Sequence, residues 1–270
     1  MKTHLKNHAI LLIIFLSLYS CREESEPNYR LKSFNADLLY FDETTNGFYY
    51  KAYTPEFSKK ITLQYNQMNQ LTQTSGGLAT LPATLNARNA YLSDDVVDKI
   101  QYSNSCVATE NEFPYKTYQD TNLYILNNGQ LKKRIIIKKN PDYILDYTYT
   151  YEENKIVETL NGILQTCTIY LSNNNVTKIE CFTYNNSKEI IYKKEIIFSS
   201  YDQSKNLLKG LYYIHGAFYN AFSTNNYRKR EIKTYTLSNN QYSLLSTSTD
   251  SICYNIDSKN IPDLFEYESY

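Results

Sequence analysis

No Trp occurs among the 270 residues, Met occurs twice, Gly seven times and Pro six, and Lys plus Arg balance Asp plus Glu at 28 each. Each shortage excludes something. The few glycines are scattered, with Gly129 and Gly162 isolated in turns, so there is no Gly-rich loop to cradle a phosphate. Without a cationic excess, and without a basic block interleaved with aromatics, nothing tracks a nucleic-acid backbone. His occurs three times and only His215 lies beyond residue 20, so the paired ligands that zinc requires are missing. No G-x-S-x-G nucleophile signature accompanies it. After Ala9–Leu16 no apolar run is long enough to cross a bilayer as a helix. Neither a metal nor a cofactor is implied.

What is present begins with an address. Lys2 and Lys6 form a basic start, Ala9–Leu16 (AILLIIFL) is a short apolar core, and Leu18-Tyr19-Ser20-Cys21 follows. This arrangement resembles a bacterial lipoprotein signal, which implies a signal peptide over 1–20 and lipid attachment at Cys21. Two or more acyl chains there would anchor stably, since each buried methylene contributes about 0.8 kcal/mol. Residues 21–32 then form a tether. Its acidic start, Cys21-Arg22-Glu23-Glu24-Ser25-Glu26, resembles the surface-export signal of Bacteroidota lipoproteins and implies display on the outer membrane. Removing residues 1–20 takes away two Lys and no acid, so 26 basic residues face 28 acidic ones. The remainder, 33–270, shows no boundary sharp enough to divide it and is expected to be one domain.

Tyr is abundant, at 29 residues. It favours strands and tolerates half-wet positions, because its ring packs while its hydroxyl stays in water. A short phrase recurs around it: a β-forming pair, two or three turn residues, then more β-formers. LQYNQMNQL (63–71), AYLSDDVV (90–97), YILNNGQL (124–131), YTYEENKIV (149–157), FTYNNSKEI (182–190) and TYTLSNNQY (234–242) are its instances. The fullest is Gln165–Tyr184. Two β-forming runs flank Ser172-Asn173-Asn174-Asn175, and Asn accepts the left-handed backbone of a tight hairpin loop. Centring the loop on Asn174 sets Ile169 opposite Ile179 and Cys167 opposite Cys181, all on one face. An exported chain forms disulfides, so Cys167–Cys181 is the candidate pair, with two reduced thiols on one face as the alternative.

In chain order, strands are expected near Ala36–Phe41, Gly47–Tyr53, Lys60–Gln64, Leu71–Thr74 and Val96–Tyr102. Gly76–Ala87 reads as a connection and Ser103–Asn122 as the longest loop. The run Gln130–Lys139 alternates Leu131, Lys133, Ile135, Ile137 and Lys139 against Lys132, Arg134, Ile136 and Lys138. Cations on both faces are incompatible with facing lipid, where each would cost about 2–4 kcal/mol near the midplane. Over Leu207–Phe222 the period changes: Leu207, Leu211, Ile214, His215, Phe218 and Phe222 share a helical stripe, with Lys209, Tyr213 and Asn220 off it. Strands resume at Arg230–Leu237 and Tyr242–Tyr254, before a polar, aromatic tail. The expected architecture is all-β: an antiparallel meander of repeated hairpins forming a curled sheet or partly closed barrel, with one short helix on the concave side.

The hairpin phrases resemble tyrosine-containing YD-type repeats, and Tyr201-Asp202 keeps the Tyr-Asp pair itself. Ile197–Asn226 (IFSSYDQSKNLLKGLYYIHGAFYNAFSTNN) is similar to a segment of uncharacterised Bacteroidota lipoproteins, a domain family of unknown function. The resemblance implies a porin-like curled sheet and an outer-membrane address. It supplies no catalytic residues.

Candidate chemistry is sparse. His215 at the edge of an apolar stripe reads as a packed core residue rather than a base. Acids cluster at Asp94-Asp95-Asp98 and Glu152-Glu153, both in expected turns. Asp250-Ser251-Ile252 resembles the O-glycosylation sequon of exported Bacteroidota proteins. Two functions compete: a non-catalytic module that holds a glycan, a peptide or a partner lipoprotein, and an envelope or polysaccharide hydrolase whose acids are assembled by folding. They differ in whether two acids, or His215 and an acid, converge in a cleft: hydrolysis expects such a pair with water access, and binding an aromatic or apolar concavity without it.

Overall fold

The computed structural model describes residues 28–35, 60–76, 78–80, 90–92, 97–103, 106–112, 121–139, 142–161, 165–185, 187–214, 217–238 and 241–270. Cys21, the signal and most of the tether, the strands expected at Ala36–Phe41 and Gly47–Tyr53, Asp94, Asp95 and His215 lie outside these residues.

The described chain is all-β. In sequence order the strands are β1 (Tyr29–Asn35), β2 (Lys60–Tyr65), β3 (Leu71–Ser75), β4 (Leu78–Thr80), β5 (Ala90–Leu92), β6 (Val97–Ser103), β7 (Cys106–Glu112), β8 (Thr121–Asn127) and β9 (Gln130–Lys139). They continue with β10 (Asp142–Glu152), β11 (Lys155–Asn161), β12 (Gln165–Ser172), β13 (Asn175–Tyr184), β14 (Ile190–Ser199), β15 (Lys229–Ser238), β16 (Gln241–Ser251) and β17 (Phe265–Ser269). Fifteen of them form one meandering sheet in the order β16-β15-β14-β13-β12-β11-β10-β9-β8-β7-β6-β3-β2-β1-β17, with β4 and β5 paired separately. Its outermost strands, β16 and β17, are not paired with each other, so the sheet is open rather than closed into a barrel.

Two compact units result: Leu31–Tyr267, and a small one with described residues 28–30 and 268–270. Within the small unit the Tyr270 N–H donates to the Asn28 carbonyl at 3.0 Å and Arg30 pairs with Glu268. Strand β1 starts at Tyr29, and Leu31 on it is buried.

Local chemistry explains the hairpins. Asn128-Gly129 and Asn173-Asn174 take positive φ, the left-handed conformation that two-residue hairpin turns demand. The β12–β13 register is Cys167 opposite Cys181 and Ile169 opposite Ile179. It arises from two features together: a tight turn at Asn173-Asn174, and a one-residue bulge between Tyr170 and Leu171 that shifts the ladder. A second bulge, between Ile125 and Leu126, corrects the reading of β9. It lets Leu131 share the buried side with Arg134 and Ile136, where strict alternation puts them on opposite faces.

Three other expectations are corrected. Ser103–Asn122 contains β7, which pairs with β6 and β8. The connection Gly76–Ala87 contains β4; β5 pairs with β4 and β6 with β3, so AYLSDDVV is not a hairpin. The polar tail contains β17, whose strand partner β1 is far away in sequence and leaves no local signal.

The expected helix over Leu207–Phe222 is absent. Leu211, Ile214, Ala217, Asn220 and Ser223 each donate a backbone N–H to the carbonyl three residues earlier, and only Phe218–Phe222 is a 3-10 turn. Gly210 at φ 79° and the Asn206 side chain, which accepts from the Leu208 N–H at 3.0 Å, break any i to i−4 ladder. The repeat is thus three residues rather than 3.6, and Tyr213 and Asn220 are buried instead of lying off the stripe.

This wound segment curls the sheet of the large unit around itself. Tyr213 meets Tyr102 of β6 and Tyr124 of β8, with ring centroids 6.0 and 6.4 Å apart. Phe218 packs on Tyr149 of β10 at 6.0 Å, and Ser223 Oγ accepts from the Val176 N–H of β13 at 3.0 Å. One short segment thus touches strands from β6 to β13 and fills the concave side of the sheet. The curled sheet is retained; the helix on its concave side is replaced by turns.

Candidate functional site

Among the described residues, a pocket of about 510 Å³ is lined by Ser33 and Phe34 of β1, Lys60 of β2, residues Asp257 and 262–264 of the loop before β17, and Phe265–Tyr267 of β17. Local chemistry builds its loop wall. Asp257 Oδ1 accepts the backbone N–H groups of Lys259 and Ile261, each at 2.9 Å, and Asn260 supplies the positive φ that turns the chain back. An isolated bridge between Ile256 and Pro262 closes this small loop. Asp263 accepts from the Asn255 N–H at 3.1 Å and from its side-chain amide at 3.0 Å. Asn260 reaches outward, donating to the Gln203 carbonyl at 2.6 Å, which ties the pocket wall to the wound segment.

Three carboxylates thus converge on one cleft, and each is already committed. The Tyr267 hydroxyl donates to Asp257. Glu266 accepts from Lys60 Nζ at 2.5 Å and from Ser33 Oγ at 2.9 Å. Their acidities follow. For Asp257, desolvation would raise the pKa, but hydrogen bonds from Tyr267, Ile261 and Lys259 outweigh it and hold the group below the usual carboxylate range. For Glu266 the bonds from Lys60 and Ser33 and the nearby ammonium act the same way. Both are stronger acids than a free carboxylate, and neither holds a proton near neutral pH.

A buried ion pair lies elsewhere. In the register of β9, β10 and β11, Arg134 stands opposite Tyr147 and Tyr149 opposite Glu158. The Arg134 guanidinium lies 4.5 Å from the Tyr147 ring centre and 4.3 Å from that of Phe218, sandwiched between them. Glu158, 3% exposed, accepts from the Tyr149 hydroxyl at 2.7 Å and lies 3.9 Å from Arg134. Burial pushes the Glu158 pKa up, and Arg134 and Tyr149 recover only part of that shift. Phe218, Arg134 and Glu158 are all buried, so the pair lies within the core.

The Tyr201-Asp202 pair proves to be a fastening. Tyr201 donates its hydroxyl to the Val176 carbonyl at 2.5 Å. Asp202 accepts from the Ser204 N–H and from Arg228 Nε, both at 2.9 Å, and from the Tyr254 hydroxyl at 2.7 Å. Nearby, Asn175 Oδ1 accepts from the backbone N–H groups of Thr224 and Asn225 at 3.0 and 2.8 Å. The hairpin tip and the YD pair together hold the wound segment in place.

Of the residues singled out in sequence, few meet. Glu152 and Glu153 sit exposed at the β10–β11 turn, with Glu152 paired to Lys155 at 3.0 Å. Asp98 is in β6. Cys167 and Cys181 have sulfur atoms 2.11 Å apart, while Cys106 is half-buried on β7 and Cys253 exposed. Asp250 is engaged by Arg230, and Ser251 beside it is exposed. Sequence reasoning missed Asp257, Asp263, Glu266 and Lys60; the only available signal was Asp257-Ser258-Lys259-Asn260, an Asx-turn pattern in the tail. Among the described residues no group of His, Cys, Asp and Glu is arranged to hold a metal ion.

No protein-family model matches this chain, and no curated protein matches it. Among solved structures it is similar to a porin-like protein from Bacteroides vulgatus, at 9% identity and a TM-score of 0.47, covering 80% of this chain and 90% of that one. It is also similar to a porin-like protein from Bacteroides uniformis, at 11% identity and a TM-score of 0.39, covering 71% and 88% respectively.

Proposed function

We propose that this chain is a lipid-anchored, non-catalytic binding module held at the outer membrane through Cys21, with the pocket between β1, β2 and β17 taking a glycan, a peptide or a segment of a partner lipoprotein. The observation that carries this reading is the state of the pocket acids. Each is tied to donors of its own fold, and Asp257 and Glu266 are pushed towards ionisation. A glycoside hydrolase needs the opposite in one member of its pair, an acid pushed up so that it carries a proton to the leaving group. Among the described carboxylates with shifted acidity only Glu158 moves up, and it is buried in the core away from the pocket lining. What remains in the pocket is fixed acceptors, one ammonium and an apolar floor of Phe34, Leu264 and Phe265, the composition of a recognition site.

A tethered module fits the outer face of the sheet better than a membrane-spanning one. Turned away from the core are ion pairs between Lys133 and Asp146 at 2.8 Å, Lys193 and Glu180 at 3.0 Å, Lys193 and Glu195 at 2.8 Å, and Lys233 and Glu231 at 3.2 Å. Such a face belongs in water, and an open sheet edge would leave backbone groups unsatisfied in lipid.

The test is to incubate the purified chain with glycan and peptide arrays while monitoring both retention and products. Retention without turnover, weakened by Tyr267→Ala and by Glu266→Gln, is expected. Turnover that disappears in Asp263→Asn or Glu266→Gln would establish the hydrolase instead.

A further inference from the structure

One five-residue loop is built three times in this chain, at 66–70 between β2 and β3, at 185–189 between β13 and β14, and at 257–261 in the pocket wall. In each, the first N–H donates to the fifth carbonyl and the fourth N–H to the first carbonyl, at 2.9–3.0 Å. The fourth residue, Asn69, Lys188 or Asn260, takes positive φ. The first side chain also accepts the fifth N–H, at 3.0, 2.9 and 2.9 Å. Two of these loops begin with Asn, whose amide then donates at 3.0 Å to the side chain of its own fifth residue, Gln70 or Glu189. The third begins with Asp257 and ends in Ile261, which offers no side-chain acceptor. The second carboxylate oxygen of Asp257 takes the Tyr267 hydroxyl instead. Asn therefore suffices to build the loop, and the acid at 257 adds an ionised acceptor that holds a tyrosine ring on the pocket wall.

We propose that the pocket takes a neutral oligosaccharide, one sugar ring stacking on Tyr267 and its hydroxyls donating to Asp257 and Asp263 on the same loop wall. This rests on the pocket being the binding site proposed above. Hydrogen-bond polarity selects the ligand. Among the lining side chains, Ser33 and Lys60 donate to Glu266 and Tyr267 donates to Asp257. An ionised carboxylate has about four acceptor sites, so Asp257, Asp263 and Glu266 keep acceptor capacity beyond these bonds. A ligand that fits must bring donors. Charge argues against a cation in that role. The three acids are matched by Lys60 in the lining and by Lys32 and Lys259 beside it, with Lys32 Nζ 4.0 Å from Glu266 and Lys259 Nζ 5.2 Å from the Tyr267 ring centre. No net field is left to draw a cation in. A peptide backbone brings as many carbonyl acceptors as donors, and those carbonyls would face fixed carboxylates. Sugar hydroxyls donate without charge, and the C–H face of a sugar ring covers an aromatic one, while Phe34, Leu264 and Phe265 floor the cleft.

The experiment presents the full chain, in detergent, to neutral gluco-, manno-, galacto- and xylo-oligosaccharides beside cationic, anionic and uncharged peptides. Wild type is compared with Asp257→Asn, Tyr267→Phe and Tyr267→Ala, with far-UV circular dichroism confirming the fold. Wild type is expected to retain a neutral oligosaccharide equally at about 0.05 and about 0.5 M salt. Tyr267→Ala should weaken retention by at least about tenfold, and Tyr267→Phe, which keeps the ring but loses its tether, by only about threefold. Asp257→Asn, which keeps the loop as Asn66 and Asn185 do, should melt like wild type yet bind at least about threefold more weakly. Saturation-transfer NMR should carry magnetisation from aromatic protons to the sugar in wild type and markedly less in Tyr267→Ala. Retention of a peptide alone, lost in Tyr267→Ala, would overturn the oligosaccharide while leaving the pocket a binding site. Oligosaccharide retention that salt abolishes, or that is indifferent to Tyr267→Ala or to Asp257→Asn, would overturn the proposal as well. Retention of nothing would overturn both it and the binding reading it rests on.

Discussion

The Tyr254 hydroxyl donates to Asp202 Oδ2 at 2.7 Å, joining residues 52 positions apart. Arg228 completes the arrangement: its guanidinium lies 3.9 Å from the Tyr254 ring centre while Nε donates to the same carboxylate oxygen at 2.9 Å. One short Tyr-Asp pair therefore fastens the wound segment to both β13 and the chain after β16. Asp202→Ala should destabilise the protein by about 2–3 kcal/mol, because it removes charge-assisted hydrogen bonds and strands their donors. Urea denaturation at neutral pH measures this.

The same residue fixes a pH dependence. Burial alone would raise the Asp202 pKa, but bonds from Ser204, Tyr254 and Arg228 lower it overall. The folded pKa then lies below the unfolded value of about 3.9, so the stabilisation is complete above that value and is lost as pH falls through the folded one. The stability difference between wild type and Asp202→Asn should accordingly shrink below about pH 4. Glu158 acts in the opposite sense. Its folded pKa is raised, so its contribution grows as pH falls through that raised value towards the unfolded one.

Phe218 is the keystone of the concave side, with ring contacts to Tyr149, Tyr212, Tyr219 and Phe222 and its face over Arg134. Phe218→Ala should cost about 3–5 kcal/mol and admit water to the Arg134–Glu158 pair. Phe218→Leu, which keeps most of the volume, should cost less. Equal losses in the two variants by chemical denaturation would show that packing over the pair is not what matters.

At the β12–β13 turn, Asn173 and Asn174 have φ of 50° and 59°. Asn174→Gly should leave stability unchanged or raise it slightly. Asn174→Val should lower it by about 1–2 kcal/mol, because a β-branched residue resists the left-handed region. Thermal melts of the two variants give the comparison directly.

Cys167 and Cys181 face each other in register, with Cα atoms 4.0 Å apart. Mass spectrometry of unreduced peptides should recover them linked, and Cys167→Ser with Cys181→Ser should lower stability by no more than about 3 kcal/mol, given the short enclosed loop. Free thiols at both positions in protein from an oxidising compartment would remove the bridge from the account.

The anchor is tested in cells. Cys21→Ala should release the chain from the membrane fraction and abolish its protease accessibility at the surface. A variant as membrane-bound and accessible as the parent would refute lipid attachment at Cys21.

What the residues determine alone is local. Turn chemistry at Asn128-Gly129 and Asn173-Asn174, and strand chemistry on either side, identify most hairpins of the meander, whereas the register that sets Cys167 opposite Cys181 also needs the bulge between Tyr170 and Leu171. The spacing of Leu208, Leu211, Ile214 and Ala217 is visible too, yet a period of three is easily read as 3.6 when Leu207 and Phe222 also fit a stripe. Asn206 and Gly210 break the ladder locally but are outweighed by the stripe in a sequence reading, and the rest of the decision lies with Asn175 and Ser223, which join the segment to β13 only after the two have met. The bulge that brings Leu131 to the same side as Arg134 is likewise invisible to alternation. The pocket was beyond reach for the same reason. Glu266 lies 206 positions from Lys60 and 233 from Ser33, and only pairing at long range brings these donors to the acids of the tail. Hairpins are encoded by neighbours in sequence; the curl, the core charge and the site depend on loop closures that no window of sequence contains.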